Sequence, residues 1–384
     1  MVYLDNAAST PLLPEARDAM EPFLTEQFAN PSGMHAAARA SKSALEGARE
    51  VVARACGCEP REVVFTGGGS EADNLAVKGA AWAARDERGA DGVVTSAIEH
   101  KAVLGACGRL EREGFRVQRL PAGAGGTVDL DALGAALDDR TAVVSIMLVN
   151  NETGVVQPLA EIVEMVRARA PRAVIHTDAV QGLAWLDLGV ATAGADLVAI
   201  SGHKFGGPKG VGALVVRSGT ALVPLIEGGG HEGELRAGTQ NVAGIVGLAA
   251  AAEFSHRERA GASARIGGLR DQLQAGLMRA IPALAVNGDP ARRVAGILNC
   301  AFPGIEAESL LVVLDQQGVY ASSGSACASG AIDPSHVLLA MGISPDLARS
   351  SVRFSLGHTT ASADIDAALA AVSAAVRQLT GAAA

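Results

Sequence analysis

Aromatic residues make up only 3% of the 384-residue chain, and its formal charge is −9. A nucleic-acid surface needs clustered basic charge and, for single strands, stacking rings, so both shortages exclude direct contact with nucleic acid. Cysteine is scarce too. The five, at positions 56, 58, 107, 300 and 327, cannot all pair and contain no C-x-x-C, which argues for reduced thiols over a disulfide framework or a thiolate metal site. No uninterrupted apolar run approaches the length of a membrane span, and the opening Met-Val-Tyr-Leu-Asp lacks a basic n-region and an apolar h-region. A cytoplasmic protein without membrane contact is expected.

What the chain does have is apolar material: 49% hydrophobic residues, enough at this length for one large and one small domain. From Pro14 to about Ser255, helical patterns alternate with short apolar runs at 63–65, 93–96, 142–149, 173–177, 197–200 and 212–216. Such alternation predicts an α/β unit, a mainly parallel sheet covered by helices on both faces. Pro14 suits a first helical turn, and Gly57 and Gly89 suit the ends of helical runs starting near His35 and Glu71. After Arg257 the pattern changes to a long helix over about 261–280, strands near 294–302 and 319–321, and two closing helices. This predicts a large domain over 15–255 and a smaller α+β domain made of 1–14 and 256–384, with a loop at about 320–332.

Lys204 sits between two short apolar runs, in Ser-Gly-His-Lys-Phe-Gly-Gly. A lysine where a strand gives way to a glycine-rich turn is partly desolvated, which favours the neutral amine that attacks carbonyls. Lys209 lies inside a Gly-Pro-Lys-Gly turn, and Lys42, Lys78 and Lys101 fall on helices or their edges. Thr66-Gly67-Gly68-Gly69-Ser70-Glu71 follows a strand and opens a helix, so its N–H groups and the Ser70 hydroxyl are placed to face an anion. It lacks the lysine of a P-loop and the spacing of a dinucleotide fingerprint, and a purely structural turn is the competing reading.

Val174-Ile175-His176-Thr177-Asp178 ends a strand in an acid, where parallel sheets place their ligand crevice. Asp178 could hold a pyridinium nitrogen protonated, with Gln181 donating to a phenolic oxygen nearby; an N-cap for the next helix is the alternative. His100, near the start of a helix, could stack on a flat ring and relay protons, or simply be hydrogen-bonded. Ser201 and His203 stand close enough to Lys204 to reach a phosphate. An anion cup, a strand-end acid and an amine, in this order along the chain, read together as a pyridoxal phosphate (PLP) site with Lys204 as its Schiff-base lysine.

Two residues lie outside that set. Cys327, in Ser-Gly-Ser-Ala-Cys-Ala-Ser-Gly, has small flexible neighbours, unlike Cys300 in Ile-Leu-Asn-Cys-Ala-Phe, and reads as an exposed nucleophile on an arm. Arg353, in an alternating strand-like stretch, could grip a carboxylate through two parallel hydrogen bonds, or form a structural ion pair.

Together these segments resemble the NifS/IscS-type cysteine desulfurases, class V aminotransferase relatives with the type I PLP fold. The resemblance spans nearly the whole chain, through Tyr3-Leu4-Asp5-Asn6-Ala7-Ala8, Asn30-Pro31-Ser32, Glu99-His100-Lys101, Asn150-Asn151-Glu152-Thr153-Gly154, His176-Thr177-Asp178-Ala179 and Gly228-Gly229-Gly230-His231-Glu232. It implies a large domain with a mainly parallel seven-stranded sheet and a smaller α+β domain. It further implies that Lys204 holds PLP, Asp178 pairs with the ring nitrogen, His100 stacks, Gln181 meets the phenolic oxygen, and Gly69, Ser70, Ser201 and His203 surround the phosphate. Thr239 would complete the phosphate site of a neighbouring subunit in a homodimer. Asn150 and Arg353 would fix the substrate carboxylate, and Cys327 would accept sulfur from L-cysteine for acceptor proteins such as an iron–sulfur scaffold. Departures from the family pattern are Ser70 for Thr, Gly69 for Ala, His231 for Gln and His358 for Arg. A selenocysteine lyase, another class V aminotransferase and a catalytically silent scaffold are the alternatives.

Overall fold

The computed structural model describes residues 1–323 and 334–381. Its strands are, in chain order, β1 (Val2–Tyr3), β2 (Val63–Thr66), β3 (Gly92–Ser96), β4 (Arg116–Leu120), β5 (Thr141–Ser145), β6 (Val174–Asp178), β7 (Leu197–Ser201), β8 (Gly212–Val216), β9 (Ala285–Val286), β10 (Ile297–Ala301), β11 (Val319–Tyr320) and β12 (Ser351–Ser355). A seven-stranded sheet has the order β2-β8-β7-β6-β5-β3-β4. Only β8 is antiparallel to its neighbours; the remaining pairs are parallel. Every residue of β2, β3, β5, β7 and β8 is buried, which is why these strands read as short continuous apolar runs.

Within the seven-stranded sheet the predicted strands recur with two differences. Arg116–Leu120 was not expected: as the sheet's edge it buries only Leu120 and carries Arg, Gln and Arg, so no apolar run marks it. The apolar run 142–149 stays a strand only to Ser145, and Ile146–Val149 continue as buried irregular backbone toward the site. Pro14 does open a helix, Pro14–Thr25. Gly57 and Gly89 cap the helices Ala36–Cys56 and Ala80–Arg88 with φ of 64° and 67°, the left-handed conformation glycine adopts without strain.

A second apolar core holds Leu4, Phe302 and Phe354 beside the antiparallel sheet β12-β10-β9 and the parallel pair β1-β11. The helix expected at 261–280 is the second half of one uninterrupted helix, Val242–Ala280. Its Leu248 and Ala252 join the first core and its Ile266 and Leu273 the second. The composition change near Arg257 therefore marks a change of packing partner within a helix. Among the described residues no helix is long and apolar enough to cross a membrane.

Candidate active site

The carboxyl ends of β6 and β7 and the glycine-rich turn after β2 open onto one cavity of about 650 Å³. Lys204 closes a 3₁₀ turn, Gly202–Lys204, directly after β7. Its Nζ donates to the carbonyls of Ala7 and Ala8 at 2.8 and 2.9 Å, so the segment 7–9 forms one wall. Gln181 Nε2 donates to the same Ala7 carbonyl at 2.8 Å.

Asp178, the last residue of β6, is buried and accepts the Val180 N–H at 2.9 Å. It caps no helix: turns follow, and the helix Leu188–Ala191 has Asp187 at its N-cap. Burial raises the pKa of Asp178, while His100, its backbone hydrogen bond and Lys204 oppose that rise. His100 is the N-cap of Lys101–Arg112 and accepts the Ala102 N–H at 3.2 Å. Burial lowers its pKa, with Lys204 adding to the shift and Asp178 opposing it.

The turn after β2 is held close to the sheet. Gly68 has φ of 146°, and a Cβ on Gly212 of β8 would lie 2.8 Å from the Gly68 carbonyl carbon. Ser70 and buried Gly69 line the cavity beside Ser201. The Gly67 N–H is already taken by Glu71 Oε2 at 2.8 Å, so an anion there would rely on the N–H groups that follow it. His203 shares a 3.4 Å contact with Ser9 Oγ, and burial pushes its pKa down to about 4, with Lys204 and Lys209 adding to the shift.

Arg353, in the middle of β12, reaches the cavity with its guanidinium between Asp5 Oδ1 at 2.7 Å and the Asn151 carbonyl at 2.8 Å. Asn150 behaves otherwise than expected. Its side chain is fully buried, donating to the Ile98 carbonyl and accepting from the N–H groups of Glu152 and Thr153, so it folds the turn and does not line the cavity. Asn151 lines it instead. Thr239 is exposed and outside this chain's own cavity, and Cys327 lies outside the described residues.

Sequence reasoning also assigned no role to three buried or half-buried acids here. Asp5 pairs with Arg353, Asp73 lines the cavity, and Glu99 accepts from Ser96 Oγ at 2.5 Å and the Met147 N–H at 3.0 Å. Asp5 and Glu99 stood within family-like segments, but nothing local showed their partners.

The model for the family Aminotransferase class-V matches residues 2–368. The chain belongs to this family. It is 44% identical over 378 residues to "Cysteine desulfurase IscS" of Methanosarcina thermophila, covering 98% of this chain and 92% of that protein. Among solved structures, a NifS-like protein superposes with a TM-score of 0.91 at 33% identity, covering 98% of this chain and 100% of the other. A structure described as SspA in complex with cysteine gives a TM-score of 0.81 at 34% identity, covering 94% and 100%. The fold is the type I fold of PLP enzymes, on which class V members and the cysteine desulfurases depend for their chemistry.

Proposed function

We propose that this protein is a PLP-dependent cysteine desulfurase that converts L-cysteine to L-alanine and leaves a persulfide on Cys327. The observation that carries the reading is the convergence of Lys204, Asp178, His100 and Arg353 on one cavity in a chain similar to cysteine desulfurases.

The residues suit the cofactor. A buried strand-end carboxylate meets the need of a pyridinium nitrogen, a lysine amine stands one strand away, and Gly68 leaves space at the turn where a Cβ would meet only Ser201 Oγ, at 4.0 Å, while Gly212 lets the turn lie against β8. Lys204 would hold PLP covalently, Asp178 its ring nitrogen, Gln181 its phenolic oxygen, and Gly69, Ser70, Ser201 and His203 its phosphate, with His100 over the ring. When bound, the cofactor draws electron density from the substrate's Cα.

Arg353, its plane fixed by Asp5 and Asn151, grips the substrate carboxylate. Lys204 carries the proton at Cα, and His100 moves a proton on the opposite side of the step. The Cys327 thiolate attacks the substrate sulfur: an S–S bond forms as the C–S bond breaks, and the carbon takes up a proton. Thiol plus cysteine become persulfide plus alanine, so atoms and electrons balance.

In this reading residues 15–255 form the cofactor domain, and 1–14 with 256–384 form the domain that carries Cys327. Exposed Thr239 completes the phosphate site of a second copy in a cytoplasmic homodimer, and acceptor proteins for iron–sulfur assembly, thio-cofactor synthesis or tRNA thiolation collect the sulfur. The test is incubation with L-cysteine, followed by mass spectrometry of the Cys327 peptide and an alanine assay. A sulfur adduct on Cys327 and one alanine per sulfur are expected; wild-type alanine production by Cys327→Ala would overturn the assignment.

A further inference from the structure

The glycine-rich turn is shaped by an acid of its own. Glu71 Oε2 accepts the Gly67 N–H at 2.8 Å, and a Cβ on Gly67 would lie 2.6 Å from that oxygen, so glycine at 67 is what lets the carboxylate fold back. Glu71 lines the cavity together with Gly67, Gly68, Gly69 and Ser70. A negative group therefore organises the same turn that is read as receiving a phosphate, and like charges side by side weaken binding.

The other oxygen of Glu71 carries the answer to this conflict. Oε1 accepts Nε of Arg236 at 3.0 Å, across 165 positions of the chain, with 25% of the arginine side chain and 22% of the glutamate exposed. Among the described residues it is the one ion pair that Glu71 makes. Arg236 itself does not line the cavity. Its segment is fastened near the turn at a second point, where Glu232 accepts the Phe65 N–H of β2 at 2.9 Å. These two ties hold the guanidinium beside the carboxylate.

We propose that Arg236 is a positioning residue for the phosphate site that acts through Glu71: it neutralises the carboxylate that shapes the turn, so that the turn accepts a dianion. The inference rests on the reading of this turn as the cofactor's phosphate site and adds the charge balance to it. Glu71 has two separable roles. Holding the Gly67 N–H needs only an acceptor oxygen, which glutamine also has, whereas Arg236 is needed only while the carboxylate is charged.

The test titrates cofactor-free, full-length wild type, Arg236→Gln, Arg236→Lys, Glu71→Gln and the double variant with PLP, reading binding by absorbance and not by turnover. Arg236→Gln raises the Kd about tenfold at low salt, and Arg236→Lys, which keeps the charge, stays within about threefold of wild type. Glu71→Gln binds no more weakly than wild type. The double variant returns to within about threefold of wild type although it lacks the same guanidinium. In 1 M salt, where charges are screened within about 3 Å, the tenfold gap narrows. A double variant as weak as Arg236→Gln overturns the proposal, because the guanidinium would then serve the anion or the fold directly. Glu71→Gln as weak as Arg236→Gln, or Arg236→Gln equal to wild type, overturns it too.

Calorimetry of the same proteins with inorganic phosphate separates this proposal from the functional reading. The same order of affinities is expected without any contribution from Lys204. Phosphate binding in that order by a chain that does not retain PLP would sink the functional reading and leave the pair standing. Phosphate binding indifferent to all four substitutions would sink the pair and leave the functional reading intact.

Discussion

Arg353 Nη2 lies 2.7 Å from Asp5 Oδ1, a pair separated by 348 positions in the chain. The parallel bridge between Asp5 and Ser355 brings the N-terminal segment onto β12 and creates the contact. With Nη1 donating to the Asn151 carbonyl, the guanidinium is oriented before a carboxylate arrives.

Asp5→Ala removes one of these two anchors. KM for L-cysteine is expected to rise about tenfold with a smaller change in kcat, the size of one charge-assisted hydrogen bond. Arg353→Lys, which cannot make two parallel hydrogen bonds, is expected to lower kcat/KM by roughly a hundredfold. Steady-state kinetics check both, and an unchanged KM in Asp5→Ala would show that the orientation is not used.

Glu99 is fully buried, and burial, outweighing its hydrogen bonds to Ser96 and Met147, raises its pKa to about 8. The folded state therefore holds a proton that the unfolded state releases above the ordinary glutamate value of 4.5, and Glu99's contribution to stability falls as pH rises from there to about 8. His176 and His203, pushed down from 6.5 to about 3 and 4, act oppositely below 6.5, because there the unfolded chain takes up more protons. Between pH 6.5 and 8 the Glu99 slope stands clear of both. Urea unfolding at these two pH values should show wild type losing about 2 kcal/mol more than Glu99→Gln. Equal losses in the two proteins would refute the assignment.

Glu232 ties the strand leading into the glycine-rich turn to the segment that carries Thr239. It accepts from both terminal nitrogens of Arg49 at 2.8 and 3.0 Å and from the Phe65 N–H of β2 at 2.9 Å, at a strained backbone φ of 49°. Removing it leaves buried Arg49 with the half-exposed Glu46 as its remaining carboxylate partner and strands the Phe65 donor, so Glu232→Ala should destabilise the protein by roughly 2–3 kcal/mol. A urea midpoint equal to wild type would show that water or another acceptor takes over.

The legible part of this protein was local. Lys204, Asp178 and the turn at 67–70 could be placed because each sits where a strand that is buried along all or nearly all of its length ends, and buried strands announce themselves as apolar runs closed by polar residues. The edge strand Arg116–Leu120 gave no such signal, since exposure lets its residues be polar. Asn150 and Asn151 are equivalent by sequence; a turn that seals the first into backbone hydrogen bonds and leaves the second at the cavity separates them.

The amino-acid sequence on its own determined the α/β alternation, the strand-end lysine and acid, and the anion-facing turn, because strand ends and glycine turns depend on neighbours a few residues away. Only the tertiary structure decided what those groups face. Asp5 meets Arg353, Asp73 lies beside His176, and Lys204 and Gln181 share the Ala7 carbonyl. Charge and proton position at a buried site follow from distances between side chains far apart in the chain, and such distances exist only once the sheet has assembled.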